Sequence, residues 1–249
     1  MRWWLYLLAG GISYLLFALA YLPAKHALYW LTPEDFPVVA DDAQGTLWKG
    51  SATQTFYRDI ELGSSAWAFR PLSLLIGQIN YQIDLSDNKQ KISGDAARNF
   101  ITGEYVVSAL KGSIEATNIP SLIGQPFVHL DGHLDIDIKR IKVLNQQVTA
   151  ASGRLRWDDA IIQKPVRTKL GSLQFDLSGD ETMLKTHIKD IAGPLKVDGV
   201  VELLPDGNYR INGKVKQTDS SDQGLVSLLQ NIGRPLADGS TQIEYSGQL

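Results

Sequence analysis

Two hydrophobic rhythms divide this chain. From Trp3 to Leu22 no side chain carries a charge, and Ser13 is the only one without an apolar body, so the run has no polar face. Such a run predicts a helix that is apolar all round. At about 1.5 Å per residue it rises about 30 Å, the thickness of a bilayer's hydrocarbon core. From residue 45 onward the period is two. Ile79, Tyr81, Ile83 and Leu85 alternate with Gln78, Asn80, Gln82 and Asp84. Leu134, Ile136 and Ile138 alternate with Asp135, Asp137 and Lys139, and Leu173, Phe175 and Leu177 with Gln174 and Asp176. Leu195, Val197, Val201 and Leu203 share a parity, as do Tyr209, Ile211 and Val215, and Ile243, Tyr245 and Leu249. Each strand sends one face to a core and the other to water.

Turn clusters punctuate the strands at Ser86-Asp87-Asn88, Asp158-Asp159, Ser178-Gly179-Asp180 and Pro205-Asp206-Gly207-Asn208. Strands at a spacing of roughly ten residues, with no long helical pattern between them, predict an antiparallel meander. Gly153, Gly199, Gly213 and Gly247 fall where the alternation calls for core residues and read either as bends and bulges or as turn residues. The run from Glu104 to Leu110 reads as a strand buried on both sides or packed at an interface. Two stretches leave the rhythm. Ser121–Gly124 has the makings of one helical turn. Gln223–Ile232 suits an amphipathic helix that Gly233 and Pro235 stop.

Trp3, Trp4 and Tyr6 mark one rim of the apolar run, and Tyr21, Tyr29 and Trp30 the other, as aromatic rings do at headgroup level. The flanking charges, Arg2 before and Lys25 and His26 after, are nearly balanced; the long polar-patterned remainder favours an amino terminus in the cytoplasm and an exported bulk. The rival reading is a signal peptide cleaved after Ala18-Leu19-Ala20. Its apolar core would exceed the usual length of roughly 7–15 residues, which favours an uncleaved anchor. Lys25–Leu31 continues as a helix on the membrane surface, and Thr32-Pro33 resembles a helix start. The expected division is an anchor over 1–22, a juxtamembrane segment over 23–44 and a β-rich domain over 45–249.

Composition narrows the chemistry. Arg2 and Lys25 are the only charged side chains before residue 31, so the remainder carries 22 basic against 27 acidic residues. That balance speaks against nucleic acid as a partner. The absence of cysteine removes thiolate metal sites, thiol nucleophiles and disulfides together. Gly45–Ser51 has phosphate-loop spacing, but Ser51 stands where the lysine belongs and no helix pattern follows. His129, Asp131 and His133 share a parity, yet Asp131-Gly132 signals a turn that would break their face. Asp135 and Asp137 read as a solvated face rather than a catalytic pair. No Gly-x-Ser-x-Gly elbow occurs. No catalytic residue, cofactor site or metal site is expected. Ala9 and Ser13, with Gly10-Gly11, offer a small-residue surface on which helices can pair in lipid.

Five ordered blocks make the sequence specific. Leu22-Pro23-Ala24 is followed by Gly45-Thr46-Leu47-Trp48-Lys49-Gly50-Ser51-Ala52. Trp67 then leads Phe69-Arg70-Pro71-Leu72-Ser73-Leu74-Leu75-Ile76-Gly77. Gly153 to Trp157 comes next, and Leu229 to Gly239 follows with Gly233, Pro235 and Gly239 as landmarks. The set resembles the protein N family of the bacterial type II secretion system over nearly the whole chain. The resemblance implies an inner-membrane accessory, without catalytic residues, of the apparatus that exports folded proteins from the periplasm across the outer membrane. Other secretion subunits would be its partners. The expected fold is mainly β: one N-terminal transmembrane helix, then a long curved antiparallel meander sheet with one or two short helices. An alternative from a different class is a periplasmic lipid-binding or lipid-transfer protein whose curled sheet shelters acyl chains in an apolar groove.

Overall fold

A computed structural model of the chain describes residues 3–31, 38–58, 60–87, 90–119, 129–145, 147–164, 167–218, 225, 229 and 233–248. Helix α1 (Trp3–Ala20) and helix α2 (Ala24–Leu31) come first. Strands follow as β1 (Val38–Asp41), β2 (Gln44–Gly45), β3 (Lys49–Tyr57), β4 (Ile60–Phe69), β5 (Gln78–Ser86) and β6 (Lys91–Asn99). Next are β7 (Tyr105–Glu115), β8 (His129–Leu144), β9 (Gln147–Lys164), β10 (Thr168–Asp180) and β11 (Met183–Ala192). The last are β12 (Leu195–Leu203), β13 (Asn208–Gln217), β14 (Arg234–Pro235) and β15 (Thr241–Gln248). Short 3-10 helices occupy Pro71–Ile76 and Ala116–Asn118.

All the strands join one antiparallel sheet, in which consecutive hairpins pair in order from β3 to β13. The expected meander is present and begins earlier than residue 45, because β1 and β2 both pair with the outer edge of β3. The helix expected over Trp3–Leu22 stops at Ala20, giving 18 residues. No helix among the described residues is long and apolar enough to cross a membrane.

Alternation settles which side chains meet. Directly opposed residues of an antiparallel pair share a face. One such row runs Ala52, Ser65, Leu85, Ile92, Gly112, Ile136, Leu155, Phe175, Ile188, Gly199, Gly213 and Ile243, crossing every strand from β3 to β13 and ending on β15. A neighbouring row on the opposite face, Lys111, Asp137, Arg154 and Asp176, alternates in charge. Arg154 Nε lies 2.8 Å from Asp176 Oδ1, and Lys189 Nζ 3.5 Å from Asp176 Oδ2. Hydrogen bonds from Arg154 and then Gln174 hold the Asp176 carboxyl down at about 2. The sheet is therefore amphipathic: a dry-seeking face backed by a lattice of ion pairs.

Several turn signals resolve into bulges instead. Strand β9 runs straight through Asp158-Asp159, with Asp159 at φ 50° opposite an irregularity at Asp131/His133. Likewise Asp131-Gly132 bulges β8 without ending it. An extra residue in a long strand adds local twist and bend, which a sheet this wide requires. Gly153 sits beside another register shift, whereas Gly199 and Gly213 oppose each other in regular pairing, so none of these is a turn. Strand β7 includes the Tyr105–Leu110 stretch, but Tyr105 is half exposed and its neighbours only half buried, so that run is not core.

Among the described residues a cluster of buried aliphatic side chains lies at the far end from the helices. Leu195 and Val215 on the sheet pack against Leu225 and Leu229, with Leu170, Val197 and Ile243 around them. Leu225 and Leu229 are helical, as expected for Gln223–Ile232, and Gly233 N–H donates to the Leu229 carbonyl, closing that segment. The other members of that stretch, Ser121–Gly124 and Thr32-Pro33 lie outside the described residues.

Candidate functional site: the helix–sheet junction

The first family-type block folds into a joint between the N-terminal helices and the sheet. Gly45 sits at φ 84°, a left-handed conformation that glycine adopts without a Cβ clash. This turns the chain so that Thr46 N–H donates to the Lys49 carbonyl at 2.9 Å, while the Thr46 hydroxyl accepts from Lys49 N–H at 3.2 Å. Gly50 lies under the ring of Trp67, where an added Cβ would fall 2.5 Å from both the Gln44 carbonyl oxygen and Trp67 Cζ2. The Trp67 indole N–H donates to the Thr46 carbonyl at 3.2 Å. The phosphate-loop-like spacing is thus a strand–turn–strand joint with β3, not a helix, after it.

The same turn grips the helices. Pro23 and Thr46 form an isolated antiparallel bridge, and Leu47 N–H donates to the Leu22 carbonyl at 2.9 Å. The Trp48 indole N–H donates to the Leu19 carbonyl at 2.7 Å. Carbonyls in the last turn of a helix have no partner within it, so this bond satisfies one of them. Ala24 and Ala27 are buried where α2 meets β2. Behind the junction the rings of Trp48, Phe69 and Tyr81 follow one another at centroid distances of 4.9 and 5.3 Å, each pair tilted as aromatic quadrupoles prefer. Phe69 N–H donates to the Trp48 carbonyl at 2.7 Å, and Pro71 then opens the 3-10 turn that leads to Gly77.

The structure brings Pro23, Gly45, Thr46, Leu47, Trp48, Gly50, Trp67 and Pro71 into this one neighbourhood. The other landmarks lie elsewhere. Gly153 packs over the Ile138 backbone, and the Trp157 indole N–H donates to the Asp131 carbonyl at 3.0 Å. Gly233 and Pro235 lead into the β14–β15 pairing, and Gly239 forms the turn between those strands. The sequence alone did not reveal the Leu19 carbonyl as a partner of Trp48. Nor did it reveal the turn at Phe100-Ile101, which packs beside Gly77; two large apolar residues in a turn were the available signal.

Chemistry-bearing groups are occupied structurally. Asp131 accepts from Gly132 N–H at 2.8 Å and from Gln163 at 3.1 Å, and these bonds, the backbone one first, lower its pKa. Among the described residues no group of three His, Asp or Glu side chains gathers to hold a metal. Asp135 and Asp137 stand on the ion-paired face, with Asp137 4.0 Å from Lys111.

The model of the family described as "Type II secretion system (T2SS), protein N" matches residues 37–244. The chain is similar to the Type II secretion system protein N of Vibrio cholerae serotype O1, at 24% identity over 92% of both chains. It is similar to that of Pectobacterium carotovorum at 21% identity, over 96% of this chain and 94% of the relative. A Klebsiella pneumoniae protein of the same name is 26% identical over 94% of this chain and 92% of its own length. No solved structure matches.

Proposed function

The chain belongs to the protein N family of the type II secretion system, and from that membership we propose that it serves as a membrane-tethered scaffold whose sheet is fixed to its anchor by the Trp48 junction. It is a non-enzymatic component of that system, associated with the cell envelope, and other secretion subunits are its partners. The finer placement is our reading: anchor 1–22 in the inner membrane with Trp3–Leu22 as its lipid contact, amino terminus cytoplasmic, juxtamembrane segment 23–44, and periplasmic sheet 45–249.

The observation that carries it is the surface of α1. The helix holds no charge, and large apolar side chains all round it, from Trp3 and Leu7 to Leu16 and Leu19, are at least half exposed. Water would penalise such a surface and hydrocarbon would not. Eighteen residues rise about 27 Å, short of a core of about 30 Å, so α1 does not reach across by itself and the anchor reading requires the bilayer to thin around it. A mismatch of that size costs fractions of a kcal/mol per Å through local bilayer thinning. The thirteen landmark residues then serve structure, eight of them the junction.

Because the chain has no native cysteine, single cysteines report topology cleanly. A membrane-impermeant maleimide is expected to label Ser246→Cys in intact spheroplasts and to spare Arg2→Cys until the membrane is opened. A soluble mature chain beginning near Tyr21 would overturn the reading.

A second reading, lipid handling, is favoured by one observation. Ile79, Ile83 and Tyr245 on the apolar face remain exposed, and the described packing on that face concentrates at Leu225 and Leu229. Phospholipid found by mass spectrometry on the gently extracted protein would support it; empty protein would defeat it.

A further inference from the structure

We infer that the protein meets the bilayer a second time, through an apolar tip built from the 3-10 turn after β4 and the turn after β6. Leu72, Leu75 and Ile76 are 78%, 84% and 66% exposed, and Phe100 and Ile101 are 59% and 77% exposed. These are large apolar side chains facing outward together. Phe100 N–H donates to the Gly77 carbonyl at 3.1 Å, and the Ile101 side chain fills the space beside Gly77. Both turns are built rather than loose. The Ser73 hydroxyl donates to the Arg70 carbonyl at 2.6 Å, and Asn99 Oδ1 accepts from the N–H groups of Ile101 and Thr102 at 2.9 and 3.1 Å.

The occupant follows from position. The turn after β4 leaves the sheet at Phe69, which is bonded to Trp48, which is bonded to Leu19 near the end of α1. The tip therefore stands at the rim where the anchor meets the sheet. The pairing register puts three further hairpin turns on that rim: Asn145, Glu181-Thr182 and Pro205-Asp206-Gly207. The described tips of those turns are polar apart from Pro205. Among the described turns of this rim, exposed large apolar side chains occur on the hairpins nearest α1, where a membrane entered by α1 would be met. Behind the tip Arg98 lies over the Tyr105 ring at 5.2 Å, an aromatic and basic collar of the kind that suits headgroups. An exposed apolar patch with this rim marks an interaction surface, and its continuity with the anchor selects phospholipid over a protein partner.

The inference rests on α1 lying in the membrane, and the test separates the two. The full chain is reconstituted in vesicles of phosphatidylethanolamine and phosphatidylglycerol bearing acyl-chain nitroxide quenchers. An environment-sensitive dye is placed on Leu15→Cys, Leu75→Cys, Ile101→Cys or, as a control on the same rim, Glu181→Cys. Quenching is expected at 15, 75 and 101, shallower at 75 and 101, and absent at 181. Quenching at 15 without 75 and 101 overturns the inference and leaves the anchor standing. Quenching at 75 and 101 without 15 supports the lipid contact while removing the anchor reading. A blue shift at 75 and 101 without quenching means that protein covers the tip, and also overturns it. The four positions are solvent-exposed, so folding is not at stake.

Discussion

The two ends of the sheet are held by different forces. At the far end Leu195, Val215, Leu225 and Leu229 form a small conventional core in which large aliphatic groups leave water. At the helix end the buried residues are small, Ala24, Ala27, Ala52 and Ser65, and cohesion comes from directed bonds: Trp48 to Leu19, Trp67 to Thr46, and the Thr55 hydroxyl donating to Ser65 at 2.7 Å. Hydrophobic packing tolerates adjustment, whereas hydrogen bonds specify an angle. The difference teaches where orientation matters: the end that must hold a fixed attitude to the helices is the end built from directional contacts. Between the two ends each strand packs on its immediate neighbours, so stability is expected to travel along the sheet as it does in stacked repeats.

That contrast can be broken from either side. Leu225→Ala should have the largest effect, about 2–5 kcal/mol, because a fully enclosed aliphatic group is removed and a cavity left. Hydrogen exchange should show protection lost in β12, β13 and β15 with β3 to β5 unmoved; loss at both ends would mean that the sheet melts as one unit. Gly50→Ala should cost about 1–3 kcal/mol by forcing Trp67 or the Gln44 backbone aside. Here exchange should rise in β2 and β3, with a red shift in tryptophan emission, and the far core should stay intact. Trp48→Phe keeps an aromatic body but leaves the Leu19 carbonyl unmatched, a loss of about 1 kcal/mol. Its sharper readout is angular: spin labels on α1 and β5 should give a broader distance distribution than in the native chain.

The smallest effect belongs to the charged face, which both ends share. The Asp176 carboxyl is depressed to about 2 in the folded chain, below its unfolded value of about 3.9. Its stabilisation is therefore complete above the unfolded value and is lost as pH falls through about 2. Asp176→Asn should cost at most about 1 kcal/mol near neutral pH, given partial exposure. Urea titrations of the two chains should converge as the pH approaches 2. A gap that persists there would assign the effect to packing and not to charge.

Period-two patterning made the meander legible because alternate side chains must face opposite ways, and the strands around Ile79, Leu134, Leu173 and Tyr209 all lie where that logic puts them. Bulges were not legible. Asp131-Gly132 and Asp158-Asp159 have the composition of turns, and only long-range pairing between β8 and β9 shows them to be irregularities inside continuous strands. The junction was half legible. Gly45 to Ala52 stood out as a specific block, but the partners of Trp48 and Trp67 sit 29 and 21 residues away in sequence, beyond what local spacing reveals. Strand β1 escaped notice because four residues that follow a proline and run into an acidic pair hardly establish a period.

One pair of residues carries a wider consequence. Gly171 of β10 and Gly193, just past the end of β11, abut, each leaving no room for a Cβ on the other. The pairing of β10 is irregular there on both sides. The close approach of the two strands there depends on two missing methyl groups, so bulk as small as a single alanine would add must push them apart.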